Sequence, residues 1–75
     1  MSEHDERLRR AHQLFAEAYQ LQMTGRLDEA IARYREALRW APDRPSARRS
    51  LARTLRRAGR DAEAEEEERL ANVAP

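Results

Sequence analysis

The sequence has no cysteine and no lysine. Without cysteine there is no disulfide, no thiolate nucleophile and no thiolate zinc site. Its two glycines, Gly25 and Gly59, stand far apart, so there is no glycine-rich phosphate loop. No apolar run reaches the length of a membrane span or a signal sequence, and the expected compartment is the cytoplasm. Aromatic residues are 5% of the chain against 39% charged, a balance close to that of disordered segments. Any fold must therefore rest on well-placed aliphatic and small side chains. With 75 residues the chain is one small domain, 1–75, with a marginal core. The net charge of +1 selects no partner by sign. All 15 basic residues are arginine, which reads as codon usage in a GC-rich genome before it reads as a binding signature.

The residues that could carry catalysis are badly spaced for it. His4 and His12 are the only histidines; on one helix they lie about 12 Å apart along the axis, too far to share a metal. Ser2, Ser46 and Ser50 have no general base at a useful spacing. The carboxylates fall on solvated faces, where nothing separates their pKa values. The expectation is no enzyme, no catalytic residue, no metal, no cofactor and no small-molecule substrate.

Prolines at 42, 45 and 75 and the two glycines divide the chain into four segments. Leu8, Ala11, Leu14, Phe15, Ala18 and Leu21 recur at steps of mostly three and four, the period of a helix, over 3–24. Ser2 followed by Asp5 reads as a capping box at its start. The pattern returns over 27–40 with Leu27, Ala30, Ile31, Tyr34, Ala37, Leu38 and Trp40. Pro42 and Pro45 both read as ending that helix. Residues 46–58 carry Ala47, Leu51, Ala52 and Leu55. Residues 61–73 are strongly helix-forming but poor in large apolar groups. Nothing alternates as a strand would, so the fold class is all-α with about four helices.

The segments form two pairs. Gly25 and Gly59 are 34 residues apart, and the same offset carries Ala18 to Ala52, Leu21 to Leu55, Ala30 to Ala64 and Ala37 to Ala71. Small residues at Ala18 and Ala30 let antiparallel helices approach, Tyr34 fills the gap beside them, and Pro42 ends the pair. A helix–turn–helix unit of this period resembles the tetratricopeptide repeat. The repeat's pattern W-x2-L-G-x2-Y, A-x3-F, P is met by Leu14, Glu17, Ala18 and Leu21, then Ala30 and Tyr34, then Pro42. The second unit offers Arg48, Leu51, Ala52 and Leu55, then Ala64 and Glu68. Arg48, Glu68 and Glu17 depart from the pattern, and Asp61 stands where Leu27 supplies an apolar group. The resemblance implies antiparallel helix pairs in an α–α superhelix, with a first unit over 11–44, an N-terminal extension from residue 3, and a degenerate capping unit over 45–75. It also implies a concave, usually peptide-binding face lined by the first helix of each pair, and no catalysis.

Charge is blocked in the second unit. Residues 44–60 hold seven arginines and no acid, and the helix after them is acidic, so Arg–Glu pairs between the two are expected. Helical angles place Arg49, Arg53 and Arg56 nearly opposite Leu51 and Leu55. Shifted back one repeat, they match Phe15, Tyr19, Gln22 and Met23, with Leu8 on the same stripe. The expected concave face is an apolar strip (Leu8, Phe15, Tyr19, Met23) beside an arginine strip. Such a patch marks an interface. The expected partner is the protein itself, as a homodimer or larger assembly acting as a scaffold. The alternative is a monomeric adaptor holding an acidic, apolar protein segment on its arginines. Nucleic acid on the arginine-rich third helix is a remote alternative, because the acidic helix competes for the same guanidinium groups. Trp40 is expected to pack between the first pair and the third helix, and His12 to sit on the rim.

Overall fold

Each helix begins and ends where local chemistry dictates. The structure, a computed structural model, describes residues 2–73 and folds them into α1 (Glu3–Met23), α2 (Leu27–Trp40), α3 (Pro45–Arg57) and α4 (Asp61–Val73). Among the described residues there is no strand. Met1, Ala74 and Pro75 lie outside them, and with them the outer ends of the expected 1–75 domain and the last of the three prolines.

Ser2 caps α1: its Oγ accepts from the Asp5 N–H at 3.2 Å. Glu3, Asp5 and Glu6 in the first turn oppose the helix dipole. At the other end Gly25 takes φ 81°, and the Gly25 and Arg26 N–H groups donate to the Gln22 and Leu21 carbonyls at 3.1 and 2.9 Å. Gly59 repeats this at φ 78°, with Gly59 donating to Arg56 and Arg60 to Leu55 at 3.0 and 2.8 Å. Both are the left-handed glycine stop that satisfies the last carbonyls of a helix. A Cβ at either position would meet nothing, so backbone conformation alone demands glycine. Pro45 departs from expectation. It does not end α2, which stops at Trp40; it opens α3 at the first helical position, where its missing N–H costs nothing.

The helices pack in chain order, α1 on α2, α2 on α3 and α3 on α4, giving a slab with Cα extents of 41 × 30 × 13 Å. Ala18, Ala30, Ala52 and Ala64 are all buried at the crossings of the two pairs, so the 34-residue offset holds in three dimensions. Ala37 is also buried, Leu21 is partly buried, and Pro42 is exposed just beyond α2. Ile31, Tyr34, Leu38, Leu51 and Leu55 supply the bulk between the pairs, with Phe15 packed against them. The Phe15 and Tyr34 rings meet at a 6.5 Å centroid separation. The buried hydroxyl of Thr54 donates to the Ser50 carbonyl one turn back at 2.9 Å, so a polar residue sits in the core at no cost.

The second pair is held differently. The departures Arg48 and Glu68 are not tolerated defects but charge contacts. Arg48 donates to buried Glu67 at 3.0 Å and Arg56 to Glu68 at 2.6 Å. Arg35 of α2 reaches Glu63 at 2.9 Å, which ties α4 to the first pair as well. Glu17, the departure in the first unit, pairs with Arg33 at 3.2 Å. Trp40 is a correction: it is 40% exposed and flanks Leu8 and Pro42 at the end of the bundle, away from the α2–α3 core.

Candidate interaction grooves

Two grooves flank α3, and the expected site residues divide between them. The first lies between α1 and α3. Phe15, Tyr19 and Tyr34 line one side, and Arg44, Ser46, Ala47 and Ser50 the other, around about 290 Å³. The second is lined by Arg49, Arg53 and Arg56 of α3 with Glu68 and Asn72 of α4, around about 410 Å³. Phe15 and Tyr19 of the apolar strip line the first groove, and Arg49, Arg53 and Arg56 line the second. The two grooves lie on either side of α3.

Tyr34 is the floor on which the first groove is built. Its hydroxyl donates to Gln22 Oε1 at 2.6 Å. Burial pushes the phenol above its ordinary value, opposed by a hydrogen bond with Ser50 and the charge of Arg53. Gln22, expected on the binding stripe, is thus engaged inside the protein. Phe15 is half-buried against Tyr34. Tyr19 and Met23 are the exposed members of the stripe, at 57% and 66%. Leu8 lies apart from them, in a trough beside Trp40 and Pro42.

The arginines sort by partner. Arg56 is held by Glu68, whose carboxyl it keeps below the usual range. Arg10, Arg26, Arg33, Arg35, Arg48, Arg60 and Arg69 also sit on carboxylates. Among the described residues Arg49 and Arg53 have no carboxylate partner, although they stand on the same helix. Their guanidinium groups are exposed at the mouth of the second groove. His12 is a rim residue as expected: its Nε2 accepts from Arg44 Nη2 at 3.2 Å.

Sequence reasoning missed Arg44, Ser46, Ser50 and Asn72 as lining residues. Ser46 and Ser50 are one turn apart on the side of α3 toward α1, a spacing that the helical angles already contain. Asn72 and Arg44 depend on how α4 and the loop after α2 fold back, which no single helix records. Among the described residues no group of acidic or histidine side chains could hold a metal, and no helix is long and apolar enough to cross a membrane.

The family model for the tetratricopeptide repeat matches residues 21–67. Searches of curated proteins and of solved structures return no significant match.

Proposed function

This chain belongs to the tetratricopeptide repeat family, a protein-interaction fold without catalysis, and from that premise we propose that it is an adaptor for an acidic, apolar segment of another protein. The segment lies across α3. An apolar side chain enters the groove of Phe15, Tyr19 and Tyr34, and carboxylates take forked hydrogen bonds from Arg49 and Arg53. The observation that carries this reading is that, among the described residues, those two arginines lack a carboxylate partner while most of the others have one.

Self-association is the second reading, favoured by the exposure of Tyr19 and Met23. A two-fold axis passing close to Arg49 and Arg53 would bring the two copies' arginines together. Like charges so placed disfavour the contact.

The test uses a fluorescein-labelled synthetic peptide with leucine and phenylalanine between glutamates. Arg49→Glu with Arg53→Glu lowers its affinity at least about tenfold while the thermal melt stays unchanged. Undiminished binding by that variant refutes the adaptor reading. A mass of two chains in light scattering that drops to one for Tyr19→Ser with Met23→Ser supports self-association instead.

A further inference from the structure

The end of the bundle opposite the glycine turns carries another surface, which shares only Arg44 with the grooves beside α3. The N-terminus of α1, the C-terminus of α2, the N-terminus of α3 and the C-terminus of α4 all meet there. Two troughs adjoin at the loop Pro42–Asp43–Arg44. In one, Leu8 and Trp40 face each other across about 490 Å³. In the other, Leu70 and Val73 of α4 lie beside Pro42 and Pro45 around about 270 Å³. Trp40 is 40% exposed and Val73 63%, so two of the four large apolar side chains left in water cluster at this end.

The rim is cationic. Arg7 and Arg39 line the Trp40 trough, and among the described residues neither has a carboxylate partner. Arg44, shared by both troughs, makes its one side-chain hydrogen bond among the described residues to the ring of His12. Asp43 is the one acidic residue lining either trough. An exposed tryptophan beside aliphatic groups and ringed by unpaired guanidinium groups is the make-up of an interface hot spot awaiting an acidic partner.

We infer that this end face is a second docking surface, for an acidic protein segment whose apolar side chain enters the Leu8–Trp40 trough and whose carboxylates meet Arg7 and Arg39. A second copy of the chain fits poorly, because pairing two copies through this end brings two arginine-rich rims together. Nucleic acid fits less well than a peptide, because the trough floor is aliphatic and proline-lined as well as aromatic. This surface shares no tested residue with the grooves beside α3, so either can fail without the other.

Trp40 is the only tryptophan in the chain, so its emission reports on this surface alone. The labelled peptide above, without its fluorophore, is titrated into the protein at moderate salt. The expected result is a blue shift of Trp40 emission. Arg7→Glu with Arg39→Glu weakens that response about tenfold, whereas Arg49→Glu with Arg53→Glu leaves it within about twofold. Melting curves of both variants check that the fold is kept; among the described residues none of the four arginines has a carboxylate partner. A wild-type emission that the peptide does not move overturns the proposal. So does a response abolished by the Arg49 and Arg53 changes but not by those at Arg7 and Arg39. Tighter binding of an oligothymidylate than of the peptide would make the surface a base-stacking platform. A shift on dilution of the protein alone would give it to a second copy.

Discussion

Arg48 and Arg49 are neighbours on α3 and have opposite fates. Arg48 turns inward, 21% exposed, with one guanidinium nitrogen on buried Glu67 at 3.0 Å and the other on the Pro42 carbonyl at 3.3 Å. Arg49 turns outward and meets no carboxylate among the described residues. The inner side of α3 adds this charge contact to its buried Leu51 and Leu55, where the first pair uses Ile31, Tyr34 and Phe15. The outer side leaves Arg49 and Arg53 without a carboxylate partner among the described residues, although Glu68 holds Arg56. One residue type thus builds the fold on one face of a helix and offers a binding group on the other, and the presence of a carboxylate partner tells the two apart.

The largest way to break the comparison is to attack the apolar strip between the faces. Leu51 is fully buried and belongs to the shared core of both pairs. Leu51→Ala should cost about 2–5 kcal/mol in urea unfolding and loosen α2 and α4 together. A loss confined to α4 would mean that the two pairs are not one cooperative unit.

A smaller effect sharpens it. Glu67→Ala leaves Arg48 in a half-buried site without its carboxylate, and should cost about 1–3 kcal/mol. Arg48→Met combined with Glu67→Leu restores the apolar contact that the repeat pattern places near here. That double variant should unfold at the wild-type midpoint or above it, because burying a charge pair costs desolvation that apolar groups do not incur. If the double variant is as unstable as Glu67→Ala, the pair is doing more than filling space.

The smallest effect is a pH dependence that differs in sign between regions. Glu63 and Glu68 are held below the usual carboxylate range by hydrogen bonds from Arg60 and Arg56. Their folded pKa values are depressed, so their contribution is present above the ordinary glutamate value and fades as pH falls through it. Amide exchange in α4 should therefore accelerate on acidification before that in α2. Tyr34 behaves oppositely. Its phenol is raised by burial, so its contribution is present below the ordinary tyrosine value and is lost as pH rises beyond it. Alkaline loosening should start at the contact of α1, α2 and α3. Equal exchange in α2 and α4 at acid pH would show that these surface pairs, screened by solvent, contribute nothing distinct.

Most of the fold was legible because its signals are local. The steps of three and four, the glycines at 25 and 59, and the alanines at 18, 30, 52 and 64 each report on one turn of chain, and the 34-residue offset then assembles them. Ser2 was legible for the same reason. What was hidden depends on the rotation of one helix against another. Glu67 reads as one of four consecutive glutamates, yet it alone of that run is buried, because it faces Arg48 nineteen residues earlier. Trp40 reads as a core residue by period but falls at the last turn of α2, beyond the reach of α3, and stays half in water. The placement of Arg49, Arg53 and Arg56 on one stripe was legible. That Glu68 would claim Arg56 and leave the other two was not, since it turns on where α4 sets its acidic face.

The measurement that tests the division most directly is a pair of urea unfolding curves, for Arg48→Ala and for Arg49→Ala. The prediction is a loss of about 1–3 kcal/mol for Arg48→Ala, which leaves buried Glu67 with only Arg35 at 3.9 Å, and a change within about 0.5 kcal/mol for Arg49→Ala. Equal losses in the two variants would contradict the claim that these neighbouring arginines are divided between holding the fold together and meeting a partner.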